Sequence, residues 1–140
     1  MSPFFSREIK EGNLSPKEVY DLALKPGVEW KPDYFNFCYG RIGHLDIEMQ
    51  PIDINPENSI GVDIYVKIKS QDRYQEIGFA RVLNENADCV SNGTEIRDNQ
   101  AMSFFKRIKE DCLIRYHEGE CSIKEDAIAQ ARRYLLEDKV

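Results

Sequence analysis

Three side chains able to do acid–base or ligand chemistry, His44, Asp46 and Glu48, alternate with Leu45, Ile47 and Met49. Alternate residues of a strand share a face, so the imidazole and both carboxylates are expected to project together. Same-face neighbours are about 6.6 Å apart, so the three span about 13 Å and cannot chelate one ion. A site here needs the next strand, where Asp63, Tyr65 and Lys67 alternate with apolar residues. A cross-strand pair between Lys67 and a carboxylate is the ordinary expectation for such a face. A small enzyme or ligand-binding domain would build its site around His44, Asp46, Glu48, Asp63 and Tyr65.

The sharpest metal candidate is Cys112, His117 and Cys121, with Cys89 as a fourth ligand. Thiolates and an imidazole suit structural zinc. On a helix, however, Cys112 and His117 point about 140° apart, and Cys112 falls within an apolar stripe. The four cysteines include no CxxC pair and read as small buried apolar residues. No metal, cofactor or required disulfide is expected. GxSxG, Walker, GxGxxG and HExxH patterns are missing, and only two histidines are present. The balance is against an enzyme.

Gly40-Arg41-Ile42-Gly43 has the GxxG spacing by which KH domains clamp RNA backbones, but there it joins two helices. Here it follows an aromatic stretch, Tyr34 to Tyr39, and reads as a hairpin turn. The aromatics could stack on bases, yet 19 basic against 25 acidic residues give a net charge of −6. Nucleic-acid affinity rests on clustered Lys and Arg, so no nucleic-acid partner is expected.

That leaves recognition of another protein. Pro26-Gly27 ends a helix, the only tryptophan follows, Pro32 restricts the backbone, and aromatics run on to Tyr39. Trp30, Tyr34 and Tyr39 are the candidate anchors, and Glu29 and Asp33 the candidate steering charges. The expected function is a non-catalytic, acidic protein-binding domain of the inhibitor, immunity-protein or chaperone type. Its partner would be basic, and a homodimer is compatible with this reading. In the competing reading of Trp30, its ring plugs the end of the core.

The elements that must position these residues follow from periodicity. Ser15, Pro16 and Glu18 form a capping box with proline at N1, and Leu14 with Val19 a hydrophobic staple, opening a helix to about Lys25. Stretches 34–39, 44–49, 60–68 and 74–83 read as strands joined by short turns. In the last, Ile77, Phe79 and Leu83 are set against Gly78, Ala80 and Val82. Apolar residues at three- and four-residue steps predict a helix over 100–117, and Ser122 with Glu125 caps another reaching about Glu137. The expected fold is α+β, a four-stranded antiparallel meander with one N-terminal and two C-terminal helices packed on it. Residues 1–140 read as a single domain. No apolar stretch reaches membrane-spanning length, and no apolar leader follows Met1, so a cytoplasmic protein is expected.

Overall fold

The first helix begins where its capping residues dictate. Ser15 Oγ accepts from the Glu18 amide at 3.2 Å and Glu18 Oε1 accepts from the Ser15 amide at 3.0 Å, closing the box. Helix α1 then spans Pro16–Ala23 and buries Val19, Tyr20, Leu22 and Ala23. The computed structural model describes residues 12–25, 27–32, 38–52, 60–71, 73–85, 95–98 and 123–137. Within them the chain continues through strands β1 (Glu29–Pro32), β2 (Cys38–Ile42), β3 (Leu45–Pro51), β4 (Gly61–Ser70), β5 (Arg73–Leu83) and β6 (Ile96–Arg97), then helix α2 (Lys124–Glu137).

The six strands lie side by side in chain order, antiparallel from β1 to β5, with β6 parallel to β5. This overturns the expected four-stranded antiparallel meander with three helices. The sheet has six strands and is mixed, and two helices occur among the described residues. The helix expected over 100–117, and with it the cover it was to give the sheet, lies outside those residues. Strands β1 and β6 are four and two residues long. Neither is long enough to show a period, and both exist because a longer neighbour offers its edge. Gly40-Arg41-Ile42, read as turn, is strand, and the turn is Gly43-His44.

One face of the sheet is the core. Val62, Ile64, Val66 and Ile68 are fully buried, as their alternation implies, whereas Ile60, expected on the same face, precedes the strand and is only partly buried; the four are joined by Cys38, Leu45, Ile47, Met49, Ala80 and Val82. In β5 the expected phase is wrong. Val66 pairs with Gly78 but Lys67 with Glu76, so Ile77 is an extra residue at a β-bulge. The bulge puts Ala80 and Val82 in the core beside Ile77 and turns Phe79 to the other face. The bulged Ile77 carbonyl is not wasted, because it accepts from the Leu14 amide at 2.8 Å. Leu14 and Val19 of the staple lie directly over Gly78.

Both helices contribute to this core, α2 through Ala127, Ile128 and Ala131. Arg132 donates to Glu18 through Nε at 2.8 Å and Nη2 at 3.3 Å, bridging the helices. That fork, with the Ser15 cap, holds the Glu18 carboxyl below its ordinary range. The Lys25 ammonium donates to the Tyr134 carbonyl near the end of α2. Tyr20 donates its hydroxyl to Asp98 Oδ2 at 2.6 Å, pinning the chain beside β6. Burial, with Asp98 alongside, pushes that phenol above its ordinary value.

The β2–β3 turn is where α2 docks. Gly43 has φ +59°, and a Cβ there would strike the Tyr134 hydroxyl and crowd Gln130. The His44 amide donates to Gln130 Oε1 at 3.3 Å. Gly43→Ala should therefore cost about 1–3 kcal/mol, from left-handed backbone strain and displaced packing together. Urea unfolding should show a lower midpoint at unchanged slope; an unshifted midpoint would mean α2 does not rest on this turn.

Candidate functional site

The polar face of the sheet collects most of the chemically capable residues singled out in the sequence. Its strands place them in cross-sheet rows. One row, set by strand register, runs Glu29, Arg41, Asp46, Lys67, Glu76 across β1 to β5, with charge alternating at every step. The next runs Tyr39, Glu48, Tyr65, Phe79 across β2 to β5. A third holds Gln50, Asp63 and Arg81. Opposite charges directly across a strand pair attract, so these rows favour this register over its slips.

Three ion pairs form on this face, two within a row and one, from Lys67 to Glu48, diagonal between rows. Arg81 forks onto Asp63, Nε to Oδ1 at 2.8 Å and Nη2 to Oδ2 at 2.9 Å. The fork pushes the Arg81 guanidinium still higher than its ordinary value. Lys67 Nζ donates to Glu48 Oε2 at 2.8 Å, the Lys67–carboxylate pair expected from the sequence. Arg41 Nη1 lies 3.4 Å from Asp46 Oδ1. The carboxylates are well enclosed: Asp46, Glu48 and Asp63 are 8%, 7% and 8% exposed. Between them Tyr65 packs on Phe79, ring centroids 5.0 Å apart, and the Lys67 ammonium lies 5.3 Å from the Tyr65 ring centroid.

His44 does not join this cluster. It belongs to the β2–β3 turn and is tied through its backbone to α2. Asp46, Glu48, Asp63 and Tyr65 do come together on the polar face. Sequence reasoning missed Arg41, which it placed in a turn, and Arg81, whose face was hidden by the bulge. Among the described residues, no three His, Cys, Asp or Glu side chains gather to hold a metal ion. Cys89, Cys112, His117 and Cys121 lie outside them. Cys38 is a buried core residue outside any disulfide.

The segment proposed for partner binding is divided by the sheet. Trp30 faces the core side, its ring over Gly40, where an added Cβ would come within 2.7–2.8 Å of the indole. It is partly buried against the core cluster, as the core-plug reading of this residue requires. Tyr39, one residue before Gly40, is half-buried on the polar face, which Glu29 shares through its pairing with Arg41. Asp33 and Tyr34 lie outside the described residues. Thus Trp30 and Tyr39 flank the β1 edge from opposite faces rather than forming one flat patch.

No helix among the described residues is long and apolar enough to cross a membrane. Compared with protein-family models, curated proteins and solved structures, the chain matches none.

Proposed function

We propose that this chain is a non-catalytic protein-binding domain, of the inhibitor, immunity-protein or chaperone-like kind, recognising a basic partner at the β1 edge of its sheet. The observation that supports it most is the pairing on the polar face. Asp46, Glu48 and Asp63 each hold a cation, so the carboxylates best suited to proton or ligand chemistry are spent on joining strands. A small enzyme or ligand-binding domain built on the same face draws support from the burial of those carboxylates, and their pairing counts against it.

At the β1 edge the exposed Glu29 carboxylate supplies steering and the uncovered rims of Trp30 and Tyr39 supply anchor area. Affinity capture followed by mass spectrometry would identify the partner, and kinetics with that purified partner test the surface. Association should slow as salt rises through about 0.15 M, where the screening length is about 8 Å. Glu29→Lys should slow association severalfold while lowering the melt of the free domain only slightly, through the like charge it sets opposite Arg41. Binding indifferent to salt and to Glu29→Lys would remove this edge and the preference for a basic partner together.

A further inference from the structure

The β4–β5 hairpin outruns the rest of the sheet. Pairing between β3 and β4 ends at Asp46 with Lys67, whereas β4 and β5 continue through Ile68 with Gln75, Lys69 with Tyr74 and Ser70 with Arg73. The last three pairs form a two-stranded ribbon beyond the end of β3, and the Ile77 bulge at its base adds twist that re-aims it. Its turn passes through Gln71 at φ 57°.

The ribbon carries an exposed aromatic together with two cations outside any ion pair among the described residues. Tyr74, opposite Lys69 in the ribbon, is 54% exposed. Lys69 and Arg73, like Lys124 and Arg133 of α2, make no ion pair among the described residues, whereas Lys17, Arg41, Lys67, Arg81 and Arg132 each hold a carboxylate. Counting the sequence-adjacent Asp72 as ionised, the tip from Lys69 to Arg73 is still net positive, on a chain of net charge −6. Beside it lies an open recess of about 520 Å³ lined by Ser70, Gln71, Arg73, Tyr74 and Gln75. All five side chains can donate hydrogen bonds, and the only charge among them is a guanidinium.

We infer that the ribbon tip docks an acidic segment of a partner protein, a carboxylate side chain entering the recess against Arg73 while Tyr74, projecting from the other face of the ribbon, anchors the chain that flanks it. The guanidinium fork matches a carboxylate geometrically, and arginine with tyrosine is the composition of interface hot spots. Charge favours a short acidic segment over a nucleic acid. Two cations neutralise far fewer phosphates than the roughly 6–10 contacts of a typical complex, and a polyanion laid across the domain would meet its net negative body. This surface goes beyond the β1 edge, uses the opposite charge preference and stands or falls independently of it.

The test is an amide NMR titration of the full chain with a synthetic Glu/Gly peptide, a Lys/Gly peptide of equal length and a single-stranded oligothymidylate. The acidic peptide should perturb Ser70–Gln75 in preference to other amides, and the basic peptide should not. Arg73→Ala and Tyr74→Ala should each weaken that binding about tenfold, with melts unchanged because both side chains project to solvent. Arg133→Ala, removing an exposed cation from α2, should leave it unaltered. Perturbations spread over all exposed cations, or binding unmoved by Arg73→Ala, would overturn the proposal. Tighter binding of the oligonucleotide at the same residues would overturn it in favour of phosphate recognition. Self-association abolished by Arg73→Ala would overturn it in favour of a second copy of this chain.

Discussion

Ile64→Asp should abolish the cooperative melt. Ile64 is 0% exposed at the centre of β4, and its cross-strand neighbours Met49 and Ala80 are buried on the same face. The substitution forfeits about 1.5–3 kcal/mol of apolar transfer. It also places a carboxylate among apolar side chains, where an uncompensated polar group costs several kcal/mol more and a charge more still. Domains of this kind are stable by about 5–15 kcal/mol, so the sum consumes most of the margin. Circular dichroism during heating should show a broad, non-cooperative loss of signal, and Ile64→Val should shift the midpoint only slightly, for a cost of about 0.5–1.5 kcal/mol. A sharp melt at the original temperature for Ile64→Asp would mean that this face of β4 is not the core.

Arg81→Leu should be the next most damaging change, at about 3–5 kcal/mol, because it strands the enclosed Asp63 carboxylate without its fork. Replacing both partners, Asp63→Leu with Arg81→Leu, should recover most of that loss, since a well-packed apolar pair is often as stable as a buried ion pair. Arg81→Lys keeps the charge but loses the two-point geometry and should fall between. Denaturant titration of the wild type, Arg81→Leu, Asp63→Leu and the double variant forms a double-mutant cycle. A coupling energy under about 0.5 kcal/mol would show the pair to be no stronger than an exposed one, and the polar face would then be solvated rather than structural.

The polar face was half legible. Asp46, Glu48, Asp63, Tyr65 and Lys67 stand at alternate positions beside unmistakably apolar neighbours, so their common face followed from period two. Their partners did not. Counting outward from the tight turn that pairs Ser70 with Arg73 sets Asp63 against Ala80, and the extra residue Ile77 moves the pairing on to Arg81. A bulge is a property of two strands and the segment that satisfies its freed carbonyl, here Leu14, some sixty residues earlier in the chain. His44 illustrates the opposite error. Its alternation with Asp46 was real, but the turn and α2 claim it first.

Signals contained within a few residues were decided by the sequence alone. They include the Ser15–Glu18 capping box, the Leu14–Val19 staple, the buried alternation of β4 and the Lys67–carboxylate pair on its other face. Each depends on backbone geometry repeating over one turn or one strand pair, which local composition controls. Only the tertiary structure decided that the sheet has six strands, that β6 runs parallel to β5, that Trp30 and Tyr39 flank one edge from opposite faces, and that charges alternate across five strands. Those features join residues far apart in the chain. Their energies arise from burial and register between elements, and short strands such as β1 and β6 have no period of their own from which to be read.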